Sequence, residues 1–403
     1  MTHRTRWLIL AVSTPLVILV AIGGLLGAAP IEPAQRGFSP LRVFEDVVSL
    51  IRSSYVEAVD MDPVMDGAMR GLADGLDAES AYLTPAEVER FDAGRSNGPA
   101  DVGLVVARQF WARVVGVRDG SPAARAGLRT GDYIRMIDGT PTRDMSALTA
   151  ARLLSGSPGS TVELLVIRSN AADPHRVSLT RETPSGPVVK GKRLDGQTVL
   201  VRVHRFEAAT AAALESEFDA LSVSDDTTVL LDLRGVADGT AADAVAAARL
   251  FVKYGPLATS EGRDGKQEAV APERTDGART MPLILLVSNG TAHAAEVFAA
   301  AIQGNDRGQL VGEPTTGLAG EQKLVRLPDG HGLWMTYRHY LTVSGEPIHG
   351  NGLDPDVPVA GPVVDFGEPA PAADPILNRA LEMARKGQAA GPQEATAGAR
   401  LSR

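Results

Sequence analysis

The sequence has no cysteine. That absence excludes a disulfide framework, a thiolate nucleophile, Cys-ligated zinc and a lipid-modified N-terminal cysteine, so any chemistry must use oxygen, nitrogen or carboxylate groups. An excess of positive charge is missing as well: 40 Lys and Arg stand against 49 Asp and Glu, a net charge of −9. Such a chain has no general attraction for a phosphate backbone, and nucleic acid is not an expected partner. Aromatic residues are scarce at 4%, whereas 44% hydrophobic and 22% charged residues are ordinary for a globular protein and point to no function. What is present is length: 403 residues correspond to two or three domains and bury a real core.

One long apolar run extends from Trp7 to Ala29 behind the basic lead His3, Arg4 and Arg6. It has about the 20 residues of a bilayer-crossing helix, so it reads as a membrane anchor or a signal peptide. Its length favours an uncleaved anchor, while Gly27-Ala28-Ala29 offers a signal peptidase a site. Basic residues only on the leading side orient the N-terminus to the cytoplasm, and everything from Pro30 onward is expected outside it.

Between Leu41 and Asp92, Val43, Phe44, Val47, Val48, Leu50, Ile51 and Tyr55 recur at helical spacing, and Val64 to Leu76 repeats the pattern. A small helical segment is expected there. From Val102 to Arg181 the texture changes to short β runs, Gly103 to Val106, Val114 to Val117, Tyr133 to Ile137 and Val162 to Ile167. After Thr198, strands at 199–203, 228–233 and 283–287 alternate with helices at 208–221, 241–251 and 292–302, the order of an α/β core. Beyond Asp365 only Pro375 to Lys386 reads as a helix, and the Gly/Ala-rich end from Gly387 reads as disordered.

The stretch Asp119-Gly120-Ser121-Pro122-Ala123-Ala124-Arg125-Ala126-Gly127-Leu128, followed by Gly131-Asp132-Tyr133-Ile134 and Ile137-Asp138-Gly139, carries specific turn chemistry. Pro122 suits the first turn of a short helix, Gly127 a positive-φ cap, and Asp138-Gly139 a tight hairpin. These residues resemble a PDZ domain of the bacterial protease type. The resemblance implies that Val102, Gly103, Leu104 and Val105 border an edge to which a peptide C-terminus adds as a strand, its carboxylate held by backbone N–H groups. The competing structural reading is that Gly103 only serves a bend and the protein's own chain fills the groove.

The order of anchor, helical segment with Leu76-Asp77-Ala78-Glu79-Ser80-Ala81-Tyr82-Leu83, β module and α/β core resembles the C-terminal processing, or tail-specific, serine peptidases from Leu41 to Val359. Leu231-Asp232-Leu233-Arg234, Val311 to Gly317, Tyr340 to Gly345 and Gly352 to Asp356 are similar to that family's motifs. The fold implied is a mixed α/β protease core with an inserted β-rich PDZ domain. The expected boundaries are 1–30 for the anchor or signal peptide, 31–95 for the helical segment, 96–183 for the PDZ domain, 184–365 for the core and 366–403 for a C-terminal helix and tail.

The resemblance implies a serine nucleophile and a lysine base, because a hydroxyl attacks only when a neighbour takes its proton. The family's Ser-Ala-Ser-Ala-Ser-Glu segment aligns without a gap on Thr291-Ala292-His293-Ala294-Ala295-Glu296, so His293 holds the nucleophile position. Leu318 holds the base position, and Gln322, four residues on, is retained. Leu318 has no lone pair to accept a proton. Where the family has Asn-x-Gly-Gly beside the oxyanion, this chain has Gly235-Val236-Ala237-Asp238-Gly239. Asp238 brings negative charge toward developing negative charge, while Gly239 and Ala294 remain in the oxyanion region.

The expected function is therefore a tail-specific peptidase homologue that binds peptide or protein C-termini without cleaving them. The alternative is an active serine-type peptidase, or one rewired around Thr291 and His293. Thr291 reads more simply as a helix N-cap, and the helix N-terminus favours a neutral His293. His293, Glu296, His331, His339 and His349 match no zinc spacing, and no metal or cofactor is expected. His204 is expected at the surface and Glu321 in a loop. The family resemblance leaves room for an oligomer or a partner peptidase that supplies a working site.

Overall fold

A computed structural model describes residues 40–93, 98–143, 145–168, 173–270, 278–368 and 371–387. The apolar run at Trp7 to Ala29 and the chain after Gly387 lie outside the described residues. Contacts divide the chain into two units, Met1–Gly67 and Ala68–Arg403. In the first, the helix Pro40–Ser54 buries no side chain, although its apolar residues recur on one face. No described helix is long and apolar enough to cross a membrane.

The second unit holds three sheets. The β module is a sheet ordered Leu104–Gln109, Trp111–Val117, Tyr133–Ile137, Thr161–Ile167, His175–Thr180, with the two-residue strand Thr140–Pro141 paired to the third. Its turn chemistry acts as expected. Pro122 opens the helix Pro122–Arg125, with Ser121 Oγ accepting from Ala124 N, and Gly127 takes φ 80°. Asp138 and Gly139 take φ 47° and 76°, and the hairpin they close pairs Ile137 with Thr140. Leu104–Gln109 ends the sheet order, so among the described residues one of its edges has no neighbouring strand.

The core sheet is ordered Val357–Pro358, Gln309–Gly312, Leu283–Val287, Thr228–Asp232, Thr198–Val203, Val189–Arg193. All its neighbours are parallel except the last pair. The two middle strands are buried at every position because both faces are covered. On one side lie the helices Thr210–Ala220, Ala241–Ala248 and Ala294–Gly304, with Phe206, Phe218, Phe251 and Phe298 packed edge to face or tilted at centroid separations of 5.3–6.0 Å. On the other, Ile376, Ala380 and Met383 of the helix Pro375–Arg385 cover Leu230, Ile284 and Leu286.

The third sheet departs from expectation. Within the segment read as helical, Ala81–Leu83 is a strand antiparallel to Gly332–Leu341, pairing Ala81 with Trp334. Two local reasons override helix: Asp77 accepts from Glu79 N, Ser80 N and Ser80 Oγ at 2.7–2.9 Å, which fixes a turn, and burial then alternates along Ala81, Tyr82 and Leu83. The strand Gly320–Arg326 pairs with the same Gly332–Leu341 strand and sets Gln322 opposite Thr336. Residues near positions 79 and 322 are thereby carried to one place.

Candidate functional site

The strand Leu283–Val287 leads into a turn at 288–292 and then the helix Ala294–Gly304. The helix starts two residues later than the apolar pattern suggests, because Thr291 is not its cap. Thr291 is fully buried, its Oγ1 donates to Leu233 O at 3.0 Å and accepts from Ser288 N at 3.1 Å, and it pins the turn instead. The residue before the helix is His293, at φ 51° and ψ −119°. A β-carbon at positive φ is disfavoured, so the surroundings must hold this conformation. They do so through Glu296, which is fully buried and accepts from His293 N (3.2 Å), Thr315 Oγ1 (2.5 Å), Gly317 N (2.6 Å) and Leu318 N (2.8 Å). Burial pushes the Glu296 carboxyl up, against the pull of these donors.

His293 faces two acceptors. Its Nδ1 lies 3.0 Å from Ala237 O and its Nε2 lies 2.8 Å from Glu79 Oε1. Burial works against a charged ring, but the hydrogen bond and charge of Glu79, the Ala237 carbonyl and Glu296 outweigh it and push the pKa up to about 9. The expectation of a neutral imidazole is overturned: a carboxylate in contact outweighs a helix-terminus effect of about 0.3–1 kcal/mol. The other oxygen of Glu79 accepts from Gln322 Nε2 at 2.9 Å, and Gln322 also reaches Thr336 Oγ1 at 3.4 Å. Glu79, His293, Ala294, Gly239 and Gln322 together line a cavity of about 750 Å³, with Trp334, Tyr337 and Tyr340 also in its wall.

Residues 197–359 match peptidase family S41, and residues 113–168 match the PDZ domain. The carboxy-terminal processing protease CtpA of Bacillus subtilis is 29% identical over 329 residues, 81% of this chain and 70% of that protein. A carboxyl-terminal-processing protease of Synechocystis is 33% identical over 274 residues, 67% of this chain and 64% of its own length. Among solved structures, the photosystem II D1 C-terminal processing protease superposes with a TM-score of 0.67 at 27% identity, over 80% of this chain and 87% of that one. Residues 197–359 therefore form a peptidase family S41 domain.

Beside the C-terminal processing peptidases that the chain resembles, the altered positions divide: His293 lines the cavity, whereas Leu318 and Asp238 do not. Leu318, at the base position, is 6% exposed and packs with Ala107, Val115, Ala237 and Ala292, an apolar cluster with nothing to accept a proton. Asp238 sits with Arg118 Nη1 at 3.7 Å, so its charge is partly matched, and burial together with Asp101 raises its carboxyl. Gly239, at φ 128°, lies where any β-carbon would meet Phe206 O at 2.3 Å. Leu318 and Asp238 stay off the cavity wall that His293, Ala294, Gly239 and Gln322 share.

The four peptide-binding candidates lie together at the free sheet edge. Gly103 takes φ 80° with Ser121 Cβ 2.1 Å from where its own β-carbon would be, so only glycine fits. Its N–H donates to Asp101 Oδ1 at 2.7 Å and its carbonyl accepts from Arg118 N at 2.9 Å, so it has no free donor. Val102 O accepts from Ala123 N. Leu104 and Val105 remain half-buried along the edge strand.

Three other expectations change. His204 is not a surface residue: its side chain is 17% exposed and its Nδ1 lies 3.1 Å from Asp119 Oδ2. Glu321 is not in a loop: it lies on the strand Gly320–Arg326 and accepts from the hydroxyls of Tyr337 and Tyr340. Glu79, which no motif reading marked as a site residue, supplies the main partner of His293 from 214 positions away in sequence. Among the described residues no group of three or more His, Asp or Glu is arranged to hold a metal ion, and His331, His339 and His349 pair singly with Asp329, Glu261 and Asp77.

Proposed function

We propose that this chain uses a tail-specific peptidase scaffold to hold peptide or protein C-termini through its PDZ domain, without cleaving them, on the outer side of the cytoplasmic membrane. The observation that carries this reading is the engagement of both ring nitrogens of His293, with a carbonyl at 3.0 Å and a carboxylate at 2.8 Å. An imidazolium with both N–H groups donating has no lone pair to attack a carbonyl or to take a proton. Thr291 Oγ1 donates to a backbone carbonyl and is buried, which also counts against a Thr–His pair. The location rests on the apolar run at Trp7 to Ala29 and its one-sided basic flank.

A second reading, that the chain cleaves near protein C-termini, is supported by its relatives, which are named as processing proteases across most of the chain. The comparisons favour this second reading more directly than the first; the site residues favour the first. The deciding experiment is cleavage of an unfolded substrate by the purified chain beside the variant carrying His293→Ser with Leu318→Lys. An inert native chain and an active double variant match the binding reading. Cleavage by the native chain that His293→Ala abolishes would establish the second.

A further inference from the structure

The turn that carries Glu79 into the site also touches the PDZ edge. Arg108 N donates to Ala78 O at 3.1 Å, on the side of the Leu104–Gln109 strand that has no neighbouring strand. Gly103 O faces inward to Arg118 N, and alternation along a strand then turns Leu104, Val106 and Arg108 outward together. Ala78 therefore occupies the far end of the row of backbone donors that an added peptide strand would use. A salt bridge of 2.5 Å between Arg108 and Asp74 and the packing of Ala78 on the apolar cluster of Ala107, Val115, Ala237, Ala292 and Leu318 hold it there. Its neighbour Glu79 meets His293 and Gln322 in the cavity, and Asp77 fixes the turn joining the two contacts.

We infer that the segment Asp77–Ser80 is a built-in competitor: a C-terminal peptide long enough to pair with Arg108 must displace Ala78 and, through the rigid turn, withdraw Glu79 from His293. This rests on the proposed reading of the edge strand as the peptide site. Geometry sets the length dependence. A peptide whose C-terminus sits beside Leu104, the first outward-facing residue of the strand, and that runs antiparallel past Val106 reaches Arg108 only with about five residues, at roughly 3.3 Å per residue. Shorter peptides bind without disturbing the turn. Glu296 and Asp238 also act on the ring, and Arg249 and Glu321 line the same cavity, but Glu79 is the charged group that the ring contacts directly, so its loss is the change that His293 senses.

The test uses the full chain with an acetylated heptapeptide ending in three apolar residues and a free carboxylate, and with its last three residues alone. NMR titration of His293, assigned with His293→Ala, should show its pKa near 9 falling on saturation with the heptapeptide and staying in place with the tripeptide. Glu79→Gln and Asp77→Ala, which loosen the segment at different points, should each bind the heptapeptide about fivefold tighter or more, and the tripeptide as the native chain does. Heptapeptide binding that leaves the His293 pKa unmoved, with unchanged affinity in both variants, overturns the inference while leaving the peptide site standing. Failure of every form to bind either peptide removes the peptide site itself and the inference with it.

Discussion

The PDZ module and the α/β core meet the same demand, holding backbone in unusual conformations, by different means. In the module most unusual residues are ones local chemistry favours, glycine at 103 and 127, Asp-Gly in the hairpin, Ser then Pro at a helix start, with Phe110 at φ 64° between its first two strands the exception. In the core the strained position holds a histidine at φ 51°, kept there by Glu296 and the long-range partner Glu79. The first kind of structure is written in adjacent residues. The second exists only once distant strands have assembled.

The largest effect should come from the core side of this comparison. Glu296→Ala leaves Thr315 Oγ1, Gly317 N and Leu318 N buried without their acceptor, and should cost roughly 3–5 kcal/mol in urea unfolding. A loss below about 1 kcal/mol would mean that the turn holds itself, as the PDZ turns do. Gly103→Ala tests the module: with Ser121 Cβ at 2.1 Å and φ at 80°, it should cost about 1–3 kcal/mol and abolish peptide capture. Retained capture would move the peptide site elsewhere.

The ion pair of the core carries a pH signature on the alkaline side. His293 has a pKa raised to about 9 in the folded chain against an ordinary value near 6.5. The folded state therefore binds this proton more tightly, and the stability is present in full below about pH 6.5, fades as pH rises, and is lost above about pH 9. About 3 kcal/mol should disappear from the native chain between pH 6 and pH 10, and His293→Ala should flatten that part of the profile. Parallel profiles for native chain and variant would show that the pair contributes nothing.

Legibility followed the same division. The α/β alternation, the middle strands and the PDZ hairpin were readable because periodicity and turn residues act over a few positions. His293 and Leu318 stood out only through alignment with family motifs. The charge on His293 was misread because the helix terminus is a local feature and Glu79 lies 214 residues away. Tyr82 and Leu83 were misread as helical because their antiparallel partner, Leu333 and Gly332, lies about 250 residues further along. Thr291 looked like a cap because Thr precedes many helices, but the buried carbonyl of Leu233 claims its hydroxyl.

The smallest effect should lie where the two regions touch. Asp119, in the loop after the Trp111–Val117 strand, meets Arg202 Nε at 2.7 Å and His204 Nδ1 at 3.1 Å on the core sheet. Burial opposes its charge, but these two partners hold its carboxyl well below the usual carboxylate range. Its side chain is 45% exposed, so solvent screens the pair, and Asp119→Asn should shift the unfolding free energy by about 0.5–1 kcal/mol at neutral pH. The difference from the native chain should shrink as pH falls below the ordinary carboxylate value near 3.8, where protonation removes the same charge. A module and a core that fold by separate rules tolerate such a junction being weak. A loss several times larger, with both regions unfolding at a new common midpoint, would show that Asp119 couples them and that the division between local and long-range encoding ends at this loop.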